Sequence, residues 1–202
     1  QRQMCIRDRL HADERLACTT RVWGTVHIDY TTIEEKTQRQ VQSVTRGNMP
    51  EITRDAPELA QGGYGMAVDI GTTTVAAYLY RFPEGALEQS CCYPNPQSAF
   101  GGDVISRIEY ASRGGLPKLQ QRIRSLIRQI QERFGKRLEK IVITGNTTMM
   151  HLLSGLDPAP LAAAPFRPQS LFGTWHENVY LPPCISAYVG ADITCAILAS
   201  GM

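Results

Sequence analysis

Alternating apolar residues flank a short polar stretch near the middle of the chain, and this pattern predicts a β-hairpin. The apolar runs cover residues 65–68 and 75–80, and their alternation is typical of half-buried strands. Between them lie Asp69, Ile70, Gly71 and three threonines at positions 72–74. A short turn that contains glycine favours a hairpin. We expect this hairpin to lie at the edge of a mixed sheet.

Further elements follow this hairpin. Residues 87–93 are a third candidate strand, and residues 103–111 are a short candidate helix. A longer amphipathic helix is predicted after Pro117, because six apolar residues recur there at helical spacing. They are Leu119, Ile123, Leu126, Ile127, Ile130 and Phe134.

The C-terminal part of the chain adds two more strand–helix pairs. Residues 140–144 are predicted to be a buried strand that leads into a helix at 149–154. Residues 157–183 are rich in proline and are predicted to be loops. A strand at 185–189 then precedes the last helix. This order of elements is typical of an α/β domain with a mixed sheet.

The first 62 residues have a different character. Residues 1–9 read like a translated sequencing adapter, so we expect them to be an artefact. Residues 10–30 end in a strand-like alternation, whereas residues 31–62 are polar and broken by proline and glycine, as in a linker or a small connecting element. The chain as a whole is expected to be a truncated fragment.

Composition narrows the possible functions. The 202 residues are 43% hydrophobic and carry a net charge of +2, which is too small to favour a nucleic-acid partner. No apolar run approaches the roughly 20 residues that a membrane-spanning helix needs, so no membrane association is expected. The six cysteines have no regular spacing, which favours a reducing, cytoplasmic setting.

The predicted hairpin turn has the chemistry of a phosphate site. Gly71 lets a ligand approach the backbone closely, and the hydroxyls and amides of Thr72, Thr73 and Thr74 can donate to phosphate oxygens. Asp69 would repel phosphate unless a hard cation such as Mg²⁺ lay between them. An ordinary hairpin with a threonine-rich turn explains the same residues equally well.

Three other places carry weaker signals. Gly145, Asn146 and Thr147 connect a strand to a helix, so their amides could face an anion, or Thr147 could cap the helix with Asn146 in the turn. Asp192, at the start of the last helix, is most simply a helix cap, although it could also face a metal or orient water. Asp103 is likewise more readily explained as a cap than as a catalytic residue.

These residues together resemble a known family. The sequence D-I-G-T-T-T at 69–74 is similar to the first phosphate motif of the superfamily of acetate and sugar kinases, heat-shock ATPases and actin (ASKHA). Several blocks in order, from about residue 65 onward, resemble the reductive activators of corrinoid proteins, which are ATP-dependent iron–sulfur proteins. The blocks are 65–80, 95–97, 102–108, 145–149 with His151, 164–166 and 189–192.

The resemblance implies the fold and the domains. Residues 63–202 would be the first lobe of an ASKHA-type ATPase, a ribonuclease H-like (actin-like) α/β half-domain with a mixed sheet. Residues 10–30 resemble the C-terminal remnant of a β-grasp ferredoxin domain, in which Cys18 matches the last ligand of a 2Fe-2S cluster. The three earlier cysteines of that pattern are missing here.

The resemblance also implies an activity, which is ATP-driven reduction of a corrinoid protein of a methyltransferase system from Co(II) to Co(I). Asp69 would bind Mg²⁺, and residues 71–74 would bind the β- and γ-phosphates. The fragment by itself is expected to be inactive, and the resemblance leaves a homodimer open. Two alternatives remain. One is a small-molecule phosphotransferase of the sugar-kinase type, with Asp103 or Asp192 as its pocket carboxylate, and the other is a non-catalytic nucleotide sensor.

Overall fold

A computed structural model describes residues 62–201, and the predictions for residues 1–61, including Cys18, lie outside this range. The described part contains a six-stranded sheet in the order β3-β2-β1-β4-β6-β5. Its strands are β1 (Gly63–Ile70), β2 (Thr74–Phe82), β3 (Ala86–Pro94), β4 (Leu138–Gly145), β5 (Thr174–His176) and β6 (Val179–Leu181). Strands β1, β4 and β6 are parallel, and the other pairs are antiparallel. The predicted mixed sheet is therefore confirmed.

The predicted hairpin is present, but not where we expected it. Strands β1 and β2 pair in register up to Ile70 opposite Val75. The prediction of an edge hairpin was wrong, because β3 pairs with the outer side of β2 and β4 pairs with the other side of β1. Alternation along a strand shows which face is buried and does not show how many neighbours the strand has.

Residues 62–201 also contain four α-helices. They are α1 (Val104–Tyr110), α2 (Leu116–Phe134), α3 (Thr147–Ser154) and α4 (Ala191–Ser200). All six apolar residues predicted for the long helix are buried on α2, in one core with the inward residues of β1, β2 and β4. Gly135 ends α2 in the left-handed conformation, with φ 61°. No helix among residues 62–201 is long and apolar enough to cross a membrane.

The strand predicted at 185–189 was wrong. The amides of Ile185 and Ser186 both donate to the carbonyl of Val189, and the Ser186 hydroxyl accepts from the Val189 amide. These local bonds use the backbone groups that a strand would need for pairing. The short strands β5 and β6 form instead within the stretch predicted to be loops.

The sheet places two turns side by side. Because β1 and β4 are parallel, their carboxyl ends meet, and Asp69 pairs with Thr144 while Ile70 pairs with Gly145. In open α/β sheets, ligands bind outside the carboxyl ends of the strands. The hairpin turn (residues 71–73) and the β4–α3 turn (residues 145–147) lie at this position.

Candidate functional site

Three segments that are distant in sequence converge at this end of the sheet. Asn146 Nδ2 donates to the Thr72 hydroxyl at 3.3 Å, which joins the β4–α3 turn to the hairpin turn. Gly190 packs against the same turn so closely that a Cβ there would lie 2.5 Å from Asn146 Cα and 2.7 Å from the Thr147 nitrogen. The structure therefore brings together residues 71–73, 145–147 and 190–192.

Two carboxylates belong to this cluster. Asp69 is exposed near the end of β1, and Asp192 is partly exposed in the first turn of α4. Loss of hydration near the protein surface raises the pKa of Asp69, and the negative charge of Asp192 raises this pKa further. Such repulsion is relieved when a cation lies nearby. Within residues 62–201 no group of three or more His, Cys, Asp and Glu side chains could hold a metal ion.

Asp192 does not cap its helix in the way the sequence suggested. Gly190 is the N-cap of α4, and Asp192 follows in the first turn. Its Oδ1 accepts a hydrogen bond from the Ile193 amide at 2.8 Å. A negative charge in the first turn of a helix is favourable in itself, so this residue also contributes to helix stability.

In the β4–α3 turn the helix cap is not the residue that the sequence suggested. Asn146, and not Thr147, is the N-cap of α3, and its Oδ1 accepts from the Met149 amide at 3.0 Å. Thr147 is the first residue of the helix and is buried, and its hydroxyl donates to the Ser186 carbonyl at 2.7 Å. The Asn146 side chain therefore has two roles. Its Nδ2 donates to the Thr72 hydroxyl, and its Oδ1 caps the helix.

Asp103 is a helix cap, as the sequence suggested. Its carboxylate accepts from the Ser106 amide at 2.8 Å, and the Ser106 side chain closes a capping box at the start of α1. The hydrogen bond from the Ser106 backbone lowers the pKa of this exposed carboxyl group. A carboxylate held in this way is poorly placed to act on a substrate.

Two buried residues support the hairpin turn, and sequence reasoning gave them no role. Asn95 Nδ2 donates to the Gly71 carbonyl at 2.7 Å, and Arg107 Nη2 donates to the Thr72 carbonyl at 2.6 Å. Both side chains are fully buried. A sequence signal did exist, because Arg107 shares a helical face with the apolar residues Val104 and Ile108.

The order and direction of the strands define an α/β fold of the ribonuclease H-like (actin-like) class. The family described as RACo middle region matches residues 64–202, and the chain belongs to this family. The resemblance to the reductive activators of corrinoid proteins is thereby confirmed.

Two relatives support this assignment. The chain is 36% identical over 160 residues to "Corrinoid activation enzyme RamQ" of Eubacterium limosum, which covers 67% of this chain and 26% of the relative. It is also similar to a solved structure titled "Reductive activator for corrinoid,iron-sulfur protein", with 35% identity and a TM-score of 0.62 over 69% of this chain and 26% of the other. The chain thus spans about a quarter of the length of both relatives.

Proposed function

We propose that this chain forms the first phosphate-binding half of the ATPase domain of a reductive activator, which reduces a corrinoid protein from Co(II) to Co(I). Family membership and the names of the two relatives support a corrinoid protein as partner. One observation carries the ATP-binding part of the proposal. The hairpin turn contacts the β4–α3 turn through Asn146 and Thr72, and two mutually repelling carboxylates lie beside it.

In this proposal Asp69 would hold Mg²⁺, and Asp192 would face the same cation or its water. Two carboxylates suit Mg²⁺, which commonly keeps several waters and takes its other ligands from phosphate. When bound, the cation neutralises the charge on the β- and γ-phosphate oxygens. Residues 71–74 hold these phosphates through their amides and hydroxyls, and residues 145–147 border them on the other side.

The reduction would add one electron to Co(II) and give Co(I), and ATP hydrolysis would offset the unfavourable potential of this step by driving remodelling or release of the complex. A 2Fe-2S cluster would supply single electrons. Only Cys18 of this chain matches a ligand of such a cluster, and one cysteine does not hold one. No electron-transfer step is therefore assigned to the residues of this chain.

The structure weakens one alternative. A phosphotransferase of the sugar-kinase type needs a free carboxylate in its substrate pocket, and Asp103 was one of two candidates. Its carboxylate is occupied by the capping box of α1. Asp192 would then have to serve a substrate pocket while it also repels Asp69.

The Asp69→Asn variant of the full-length activator tests this proposal. The substitution keeps the shape and removes the charge, so Mg²⁺-dependent ATP hydrolysis should fall by roughly 10²–10³-fold, as when one preorganised electrostatic group is lost. Folding should be preserved, because the substitution also removes the repulsion from Asp192. ATP turnover and corrinoid reduction are measured side by side with thermal unfolding.

The matched control is Glu109→Gln. Glu109 is an exposed acid whose side chain pairs, among residues 62–201, with Arg113 one turn away on the same face, so turnover should not change. Unaltered hydrolysis in a folded Asp69→Asn variant would show that Asp69 is a structural hairpin residue.

A further inference from the structure

Three consecutive carbonyl groups of the hairpin turn are bound from the protein interior. The Gly71 carbonyl accepts from the side-chain Nδ2 of Asn95 at 2.7 Å, and the Thr73 carbonyl accepts from the backbone N–H of Asn95 at 2.8 Å. Between them, the Thr72 carbonyl accepts from Arg107 Nη2 at 2.6 Å. The backbone of this turn is therefore held by two side chains, those of Asn95 and Arg107, and by the backbone N–H of Asn95, all outside the hairpin.

The orientation of these carbonyls determines where the amides point. A trans peptide group is planar, and its N–H is directed opposite to its C=O. The Gly71 carbonyl shares a peptide group with the Thr72 N–H, and the Thr72 carbonyl shares one with the Thr73 N–H. Since both carbonyls point towards buried donors, both N–H groups point away from them. Successive amides of this kind form an anion-binding concavity.

Arg107 brings a positive charge to this position at a cost to folding. Its guanidinium is fully buried, and its hydrogen-bond partners are neutral: the Thr72 carbonyl, the Gly101 carbonyl at 2.9 Å and Met149 Sδ at 3.4 Å. The Asp103 carboxylate is exposed and is engaged in its helix cap. An apolar residue of similar volume often serves a fold as well as a buried charge does.

A function at the turn explains why arginine is present. A hydrogen bond from a cation to a carbonyl polarises the peptide group, so the N–H at its other end becomes a better donor. Here that N–H belongs to Thr73. The positive charge also lies directly behind the turn, where it attracts an anion bound in front.

We propose that Asn95 and Arg107 are positioning residues that aim the Thr72 and Thr73 amides at a phosphate oxyanion, with Arg107 adding positive charge from beneath. This inference rests on the proposed function, because it assumes that the hairpin turn binds phosphate. The orientation of the turn is thereby assigned to Asn95 and Arg107, which lie 24 and 35 positions along the chain from the carbonyls that they bind.

Two variants and a control separate positioning from general stability. Arg107→Met keeps much of the volume and removes the charge and the donors, whereas Arg107→Lys keeps the charge and loses the planar fork. The control is Gln97→Leu, because Gln97 is equally buried and its side chain donates to the Leu119 carbonyl, whereas its bond to Asn95 Oδ1 comes from the backbone N–H, which the substitution keeps.

The first measurement needs no ligand. Residual dipolar couplings and ¹⁵N relaxation report the direction and mobility of the Thr72 and Thr73 N–H vectors in the 202-residue chain. We expect both to change in Arg107→Met and to be preserved in Gln97→Leu. Unchanged vectors in a folded Arg107→Met chain would overturn the positioning role.

The second measurement titrates the same chains with magnesium tripolyphosphate and follows the shifts of these two amides. The dissociation constant should rise about 10- to 100-fold in Arg107→Met, the loss expected for a charge-assisted hydrogen bond. It should rise less in Arg107→Lys and remain unchanged in Gln97→Leu. Equal affinity in Arg107→Met and the wild type would contradict the electrostatic role.

The two proposals fail differently. If tripolyphosphate shifts neither amide of the wild-type chain, the proposed phosphate site is wrong, while the N–H vectors still decide the positioning role. If the wild type binds and the variants bind equally well, the phosphate site stands and the inference about Arg107 is overturned.

Discussion

At the scale of single residues, Gly190 shows how tightly the site is assembled. A Cβ at this position would lie 2.5 Å from Asn146 Cα, 2.7 Å from the Thr147 nitrogen and 2.7 Å from Asp192 Oδ1. Two of these three atoms belong to another backbone segment, which cannot move aside as a flexible side chain would. The approach of α4 to the β4–α3 turn therefore depends on the missing side chain.

We predict that Gly190→Ala destabilises the chain by about 1–3 kcal/mol, the usual cost of forcing extra atoms into a packed site. The control is Gly102→Ala, where an added Cβ meets nothing within 4 Å. This variant should stay within about 0.5 kcal/mol of the wild type. Urea unfolding of both variants measures the difference, and equal midpoints would show that the loops around Gly190 are free to separate.

Single residues also show where sequence reasoning was limited. Asp69 and the threonines after it could be identified as candidates because their chemistry lies in one short stretch. Asn95 and Arg107 could not be linked to that stretch, since their contacts to the turn span 24 and 35 positions. Only the folded chain shows which distant donor meets which carbonyl.

At the scale of elements, α3 is anchored by a buried histidine. His151 Nδ1 lies 2.7 Å from the Thr147 carbonyl and donates to it, and Nε2 accepts from the Gln169 amide at 3.1 Å. With one nitrogen donating and the other accepting, the ring is neutral. Burial lowers the pKa of His151 below its ordinary value, and this helix carries the Asn146 cap at its start.

This arrangement predicts a loss of stability in mild acid. Because the folded pKa is lowered, the unfolded chain takes up the proton first as the pH falls, and stability that is complete above the ordinary histidine pKa is lost progressively below it. His151→Phe should cost about 1–3 kcal/mol at pH 7.5, since it removes the two side-chain hydrogen bonds to the Gln169 N–H and the Thr147 C=O, and should flatten the dependence of stability on pH between pH 7.5 and pH 5.

Thermal unfolding across that pH range measures both effects. His176→Gln serves as the control for loss of a histidine, since His176 is exposed on the short strand β5. A His151→Phe chain with the same pH dependence as the wild type would show that another group is responsible.

The elements differ in how well the sequence predicted them. Helix α2 was predicted with its buried face correct, because 19 residues carry a strong helical period. Strands β5 and β6 have three residues each, which is too short for any period to be recognised. The stretch at 185–189 is apolar enough for a strand, but the Ser186 side chain competes for its amides.

At the scale of the whole molecule, residues 62–201 form a mixed sheet with helices, and residues 64–202 match the middle region of a family of reductive activators. The alternation of strands and helices predicted this class of fold. The lateral order of the strands was not predictable, since pairing partners depend on packing between distant segments.

We predict that the 202-residue chain does not bind a stoichiometric 2Fe-2S cluster. Such a cluster needs four protein ligands, and only Cys18 matches the pattern of the ferredoxin domain. The four cysteines among the described residues are free thiols: Cys91, Cys92, Cys184 and Cys195. Anaerobic reconstitution, visible absorbance and iron analysis test this, and a stable two-iron cluster in the monomer would contradict it.

The anchoring of the hairpin turn by Asn95 and Arg107 has a consequence for protein engineering. If residues 69–74 alone were transplanted into a foreign hairpin, the sequence of the motif would be kept, but the donors that orient its peptide groups would be lost. The contiguous segment that carries both the motif and these donors extends from β1 through α1, from Gly63 to Tyr110. Within that segment the threonine side chains could be varied while the backbone kept its orientation.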